Sequence, residues 1–465
     1  MKKIIIIGAG ISGLSAGCYG QMKGYETEIF ELQGTVGGLC TTWNRKGYLI
    51  DGCIDWLIGI NPDNYLYDSW KELGVFEGDG FIQHDYSMQV EDGLGKKLIL
   101  YSDINKLEEH LLQLSPIDEP LIKELSEAIR ISAFSSKTVK PVFNKKFATM
   151  SLYDFLQQFK DRFLREALGV TLIPLQPKEY PVGTFIFRHS FYNRKDASWS
   201  IGGSLAFAQR IENKYKALGG KINYRVEVQE VIVKDNKAVG VRLADGSEHY
   251  ADYVISTIDG YKTVFDLLKG KYLNDEIKQL FNEEKDLPSS MQISLGIHCD
   301  LSEEPHNIVL KLKEPFVVGD KINSYLYLKQ FSFDKLMCKP GKSVITSIIE
   351  TDYEYWDDLH KDIYKYNLEK ERLCEIFIKI IEERFPQVKG KIEVTDVATP
   401  VTYNRYTGVW KGSYLGWWNM SATTLPAVLP GLENFYIAGQ WAEALGGLPI
   451  SMMTGKGVIT KISEI

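Results

Sequence analysis

The residues in this chain best suited to chemistry are glycines. Gly8, Gly10 and Gly13 form the pattern G-x-G-x-x-G, with Ile11 and Ser12 in its last gap. In such a turn the first glycine makes the bend, the second lets backbone approach a pyrophosphate, and the third lets helix pack on strand. Glu31 lies 18 residues past Gly13, where a carboxylate accepts hydrogen bonds from the hydroxyls of an adenosine ribose. Gly37-Gly38 follow, bracketed by Leu32 and Leu39, and offer a second close approach to a diphosphate. Far along the chain Gly439-Gln440 and Gly446-Gly447-Leu448-Pro449 form another glycine-rich exit from a strand.

These loops need rigid elements on either side. Lys2–Ile7 is a short β-branched run with the look of a strand buried on both faces. A helix-compatible stretch runs from the glycine turn to about Gly24, and a second strand over Glu26–Phe30 ends at Glu31. That strand–turn–helix–strand context makes the motif a dinucleotide site. At the other end, Asn434–Ala438 reads as a strand and Ile450–Ser463 as a helix with Pro449 in its opening turn. Such a helix aims its positive end at whatever precedes it. Between them lie a helix near Leu205–Leu218, strands Glu227–Lys234 and Ala238–Leu243, a turn at Asp245-Gly246, and a return strand over Ala251–Thr257.

The order Glu31, Gly37-Gly38 and then Gly47-Tyr48-Leu49-Ile50-Asp51 resembles the flavin-binding start of the amine oxidase and phytoene desaturase superfamily. The closing strand, glycine loop and helix resemble the C-terminal flavin motif of its phytoene desaturase, carotenoid isomerase and retinol saturase group. The resemblance implies an α/β protein: a discontinuous Rossmann-type (GR2-like) FAD-binding domain, a mixed α+β substrate domain and a helical lid. The flavin domain would comprise 1–65, 198–265 and 425–465, and the substrate domain 66–102, 171–197 and 266–424. The helical part, 103–170, could face a membrane. FAD would be non-covalent, held at its adenosine diphosphate by Gly8–Gly13, Glu31, Leu32, Gly37, Gly38 and Leu39. Val226 or Val228 would lie against the adenine, and Gly439, Gln440, Gly447, Leu448 and Pro449 would hold the ribityl and ring end. Leu39 stands where the family usually has Arg, and Gln440 where many members have Asp.

The implied activity is desaturation, saturation or isomerisation of a hydrophobic, unsaturated, isoprenoid or carotenoid-like substrate, with hydride exchange at flavin N5. No second G-x-G-x-x-G occurs in a strand–helix context, so electrons would pass to or from a quinone, oxygen or an external carrier. One alternative is a flavin amine oxidase acting on a small or polyamine substrate; another is a flavin-bound protein that binds partners without turnover.

Candidate catalytic residues are fewer. Asp55, four residues past Asp51, stands where relatives place a His near the flavin face and could act as a base; a cap or ion pair is the competing reading. Six of the sixteen residues from Tyr403 to Trp418 are aromatic, which suits either a wall beside an apolar substrate or ordinary core packing. Tyr403 and Trp418 could also flank an amine, and Arg405 could pair a substrate carboxylate or a structural acid. His189 reads as structural.

Composition narrows the partners. A net charge of −7 gives no basic field for nucleic acid. Six scattered cysteines form no C-x-x-C pair, so neither a metal site nor a disulfide framework is expected. Without a signal peptide or an apolar run long enough to span a bilayer, the expected location is cytoplasmic. Residues 130–165 carry eight Lys or Arg against two Asp, a local +6 interleaved with Phe134, Val142, Phe143, Phe147, Leu152, Phe155 and Phe159. That mixture reads either as a basic patch for an anionic membrane or as a solvated helical lid.

Overall fold

Side chains alternate across a strand, so a run such as Ile4–Ile7 needs an apolar layer on each side. The computed structural model, which describes residues 1–132, 145–172, 178, 180–282, 289–417, 424–443 and 446–464, provides both. Ile4 and Ile6 join one core cluster, Ile5 and Ile7 another. Strand β1 (Lys3–Ile7) leads through helix α1 (Ile11–Met22) to β2 (Glu26–Glu31), and a hairpin of β3 (Thr42–Arg45) and β4 (Tyr48–Asp51) follows. After a long excursion come helix α2 (Gly203–Ala217), β5 (Lys221–Tyr224), β6 (Tyr253–Ser256), β7 (Phe435–Ile437) and helix α3 (Leu448–Ser463).

The five strands β5-β2-β1-β6-β7 form one parallel sheet in that order. Helix α3 lies directly on α1: Ser15 Oγ donates to the Met452 carbonyl at 2.8 Å, and Gly455 leaves no room for a side chain against Ser12. Helix α2 packs on the same side, its Tyr215 ring pressed against Gly17. The other face is covered by a separate antiparallel meander of Val228–Lys234, Lys237–Leu243 and Glu248–Tyr250. The edge strand β5 is absent from the sequence reading; it is short and only half-buried.

A charged cluster ties the sheet's edge. Glu28 on β2 receives Lys3 Nζ at 2.7 Å, Lys221 Nζ at 2.9 Å and Asn223 Nδ2 at 2.9 Å. Burial pushes this carboxyl up, but the three donors outweigh it and hold it down to about 2. A carboxylate depressed in the folded state stabilises above its ordinary pKa, and the contribution is lost as pH falls from about 4.5 through about 2. Glu28→Gln should therefore flatten the acid limb of a stability-versus-pH curve in that window by about 2 kcal/mol, since Lys221 is too exposed to count fully. Urea titrations at stepwise lower pH would measure it.

A second sheet of seven strands carries the rest of the chain. Its order is Ile392–Ala398, Ser290–Ile297, Ser343–Glu350, Lys321–Gln330, Asn307–Val318, Tyr86–Glu91 and Lys97–Tyr101. Only the pairing of Asn307–Val318 with Tyr86–Glu91 is parallel. Helices between Ile104 and Gly169, with Val182–Asn193, build their own core against Met88, Val90, Leu98 and Leu100.

This core corrects the membrane reading of the basic stretch. Phe147, Leu152, Phe155 and Phe159 are buried inside it rather than presented outward; Phe134, Val142 and Phe143 lie outside the described residues. Among the described residues no helix is long and apolar enough to cross a membrane.

Candidate active site

Helix α1 starts at Gly10, which is extended, with no side chain capping it and no acidic residue in its first turn. Its leading N–H groups and positive end are therefore open to an anion. Gly13 is obligatory for packing: a Cβ there would sit 2.0 Å from the Gly8 carbonyl oxygen. Gly10 differs, since a Cβ there would meet nothing nearer than the Gly37 oxygen at 4.0 Å. The space beside Gly10 is open.

The second glycine pair lies on the first loop. Gly37 N–H donates to the Ala9 carbonyl at 2.9 Å, and Gly10 and Gly37 pair as a parallel bridge. Gly38 faces the Gly10 Cα. Glu31, at the end of β2, is 7% exposed; its two carboxyl oxygens accept the N–H groups of Ala9 and Gln33, each at 2.7 Å. Burial raises this carboxyl against those two donors. Each oxygen keeps a lone pair for a further donor such as a ribose hydroxyl. Ile11 is core, Leu32 points to solvent and Leu39 is half-buried. Val226 N–H donates to the Glu31 carbonyl at 2.9 Å, and buried Val228 packs in the cluster that holds Ile5 and Phe30.

The far glycine loop arrives at the same place. Gly439 N–H donates to Thr454 Oγ1 at 2.9 Å, and Ser12 Cβ lies 3.8 Å from where a Gly439 side chain would begin. Gln440 is half-buried, its carbonyl against Gly416. Gly447 caps α3 with positive φ, Pro449 sits in the first turn, and that turn has no acidic residue or side-chain cap. Leu448 packs on the main core. Two uncapped helix N-termini thus belong to two helices in direct contact. Between them Ser12 Oγ is buried without a hydrogen-bond partner, an arrangement that costs about 1–3 kcal/mol unless a ligand oxygen supplies the missing bond. An FAD diphosphate fits this donor set.

Beyond the cradle, Asp51 joins three segments. Its carboxylate accepts from Thr42 Oγ1 (2.9 Å), Ser204 N–H (2.7 Å), Ser204 Oγ (2.7 Å) and Cys53 N–H (3.1 Å). The Asp51 carbonyl takes Gln292 Nε2 at 2.9 Å, and Tyr403 Oη donates weakly to Gln292 Oε1 at 3.4 Å. Burial drives the Tyr403 and Tyr414 phenols far up, so both stay neutral donors. Gln292 carries no motif by which sequence reading could find it, whereas Ser204 follows the Gly202-Gly203 pair that opens α2.

Asp55 is corrected by its neighbours. Lys329 Nζ lies 3.2 Å and Arg188 Nη2 3.3 Å from its carboxylate. The surrounding protein pushes Asp55 up, yet its side chain stays 44% exposed and Lys329 and Arg188 together hold it below the usual range. A carboxylate paired with two cations is a poor proton acceptor, so it serves as their counter-ion. Lys329 also donates to the Ile54 carbonyl at 2.5 Å and covers the Trp199 ring, 5.0 Å from its centroid; Arg188 lies 5.5 Å from the Trp56 centroid. Nearby His84 stacks on His306 at 3.7 Å. Burial keeps both neutral, His84 down to about 4.

The other expectations separate. Arg405 is exposed on the helix Pro400–Thr407, its guanidinium over the Tyr406 ring, and it does not enter the site. Trp410 and Trp417 pack with Tyr261, Phe281 and Trp441 as core. Trp418 lies outside the described residues. His189 is buried, bonded to the Phe185 carbonyl at 2.9 Å and pushed by burial down to about 3. Among the described residues no cluster could hold a metal ion.

A family model described as flavin containing amine oxidoreductase matches residues 11–458. The chloroplastic prolycopene isomerase of Arabidopsis thaliana is 22% identical over 457 residues, covering 88% of this chain and 73% of its own length. The 4,4'-diaponeurosporene oxygenase of Staphylococcus haemolyticus is 24% identical over 512 residues, covering 100% of this chain and 97% of its own. Among solved structures, an engineered putrescine oxidase superposes with a TM-score of 0.62 at 14% identity, covering 99% of this chain and 98% of that one.

Proposed function

Since the chain belongs to the flavin containing amine oxidoreductase family, and so is an FAD-dependent oxidoreductase, we propose that its substrate is a hydrophobic, unsaturated molecule of isoprenoid or carotenoid type. One observation carries this reading. The aromatic faces beside the Asp55 cluster, Trp199 and Trp56, are already covered by Lys329 and Arg188. With Asp55 as their counter-ion and both histidines neutral, the cluster keeps a net positive charge. A cationic amine would meet like charge there, whereas a polyene has none to repel. The isomerase and oxygenase relatives are both named for polyene substrates.

When bound, FAD supplies a two-electron centre for exchange with the substrate. The chain would hold it without a covalent bond. Gly10, Ser12 and the first turn of α1 would take the diphosphate, with Gly37-Gly38 closing over it and Glu31 accepting the ribose hydroxyls. Gly439, Gln440 and Gly447 would face the ring end, where the α3 N-terminus offers partial positive charge. Asp51 fixes the segment 53–55, and Tyr403 with Gln292 supplies neutral polar contacts. With Asp55 committed to two cations, the substrate proton would pass to a weak acceptor such as water. That suits desaturation, saturation or isomerisation better than reactions needing a strong base. A quinone, oxygen or an external carrier would exchange the electrons.

The test is anaerobic. FAD-loaded protein is mixed with polyenes and, separately, with mono- and polyamines, while flavin absorbance is followed; a parallel sample is first reduced with dithionite and its polyenes are separated by chromatography. Bleaching by polyenes, or a changed isomer pattern after reduction, is expected. Bleaching by amines alone would overturn the proposal in favour of amine oxidation, and no response to either class would favour a binding role.

A further inference from the structure

The β3–β4 hairpin carries one pairing step beyond its regular strands. Thr42 stands opposite Asp51, and Gly52 N–H donates to the Thr41 carbonyl at 3.1 Å, extending the register outward. The ladder stops at that bond, because Thr41 N–H turns back to the Leu39 carbonyl at 3.0 Å; Cys40 and Cys53 flank it on the two segments, and the Cys53 thiol is near enough to push the Cys40 thiol up. Disulfides span roughly 4.4–6.8 Å between Cα atoms, a separation within reach of residues one step past a paired position. Neither is in a disulfide; Cys40 is buried with its Sγ donating to the Ser204 carbonyl at 3.4 Å, and Cys53 is exposed.

We propose that Cys40 and Cys53 form a dithiol–disulfide couple at the base of the flavin site, oxidised by a small-molecule disulfide that enters at Cys53. The Cys53 thiolate attacks one sulfur of the incoming disulfide and forms a mixed disulfide, releasing one thiolate. Cys40 then attacks the Cys53 sulfur, its proton leaving with the second departing thiol. The two cysteines lose two electrons and two protons in total, and the incoming disulfide gains them as two thiols. An external dithiol reverses both steps.

The asymmetry of the pair sets that order. Burial, with a further push from Cys53, raises the Cys40 thiol well above its ordinary range, so it is a poor first nucleophile. Once Cys53 carries a mixed disulfide, Cys40 attacks as a neighbour and its high effective concentration compensates. The remaining cysteines are not so arranged: Cys18, Cys338 and Cys374 are buried, and Cys299 is half-buried with its Sγ near the Gln387 carbonyl. The bond would clamp the open end of the hairpin whose Asp51 holds Ser204 and whose next residues are Ile54 and Asp55.

The experiment uses FAD-loaded protein equilibrated in glutathione–glutathione disulfide buffers, quenched with an alkylating agent in denaturant and digested without reduction for mass spectrometry. A single Cys40–Cys53 cross-linked peptide pair is expected, reversed by dithiothreitol, with the other four cysteines alkylated. In Cys40→Ser a glutathione adduct should persist on Cys53 and clear about 100-fold more slowly than the transient adduct of the parent protein, because no neighbouring thiol displaces it. In Cys53→Ser the cross-link should vanish and Cys40 should take up no glutathione. Both cysteines remaining alkylatable in the most oxidising buffer, or a Cys53 adduct equally long-lived with and without Cys40, would overturn the proposal. Far-ultraviolet circular dichroism of each variant checks that its fold survives.

Discussion

Gly10→Val should give a folded protein that comes off the column colourless. The backbone at Gly10 is extended, a region any residue adopts, and nothing but the Gly37 oxygen at 4.0 Å borders its missing side chain. Two methyl groups there would fill the approach to the α1 N-terminus. FAD affinity should fall on the order of 1000-fold, about 4 kcal/mol, while the unfolding midpoint of the flavin-free protein stays at the parent value. Gly13→Ala makes the contrast. Its Cβ would sit 2.0 Å from the Gly8 oxygen and 2.8 Å from Thr257 Oγ1, so the helix must leave the strand and the flavin-free protein itself loses stability. Flavin titration and thermal melts of the two apoproteins separate the effects. A Gly10→Val protein that keeps its flavin would place the diphosphate elsewhere.

Asp51→Ala should be among the most damaging single changes to stability. It removes the acceptor for Thr42 Oγ1, Ser204 N–H, Ser204 Oγ and Cys53 N–H together, mostly at buried groups. Buried donors left without partners cost far more than an average hydrogen bond contributes, and a loss of about 3–5 kcal/mol follows. The site should suffer as well, because Ser204 Oγ also receives Ile54 N–H at 2.8 Å and so positions the segment leading to Asp55. Ser204→Ala, which loses only its hydroxyl's bonds, should cost about a third as much. Urea denaturation of the three proteins would measure the series; an Asp51→Ala loss below about 1 kcal/mol would show that solvent replaces the carboxylate.

Much of the cofactor half is readable from the chain because backbone requirements write it locally. A tight turn, a close helix–strand crossing and an uncapped helix start each demand glycine or proline at set spacing, so Gly8, Gly13, Gly37 and Pro449 can be found without knowing what lies beside them. Strand β5 is harder: its four residues sit behind Gly219-Gly220 at a sheet edge, where half-burial blurs alternation. The chemistry of Asp55 depends on Lys329 and Arg188, distant in sequence and carrying no local signature. The aromatic run from Tyr403 fails for the same reason. Trp410 and Trp417 meet Tyr261, Phe281 and Trp441, and composition alone cannot distinguish a wall around a substrate from a core. The basic stretch held a usable clue, since Leu152, Phe155 and Leu156 recur at helical spacing and helical spacing marks an inward face.

The parallel sheet ends on β7, and α3 then folds back over α1. A ribosome delivers these parts in order, first turn early and last helix late, with the whole seven-stranded sheet synthesised between them. Throughout elongation the nascent chain therefore carries the first uncapped helix start without the second. A premature stop anywhere ahead of Gly439 would leave a polypeptide with Gly8–Gly13 intact and no α3 to lie on α1.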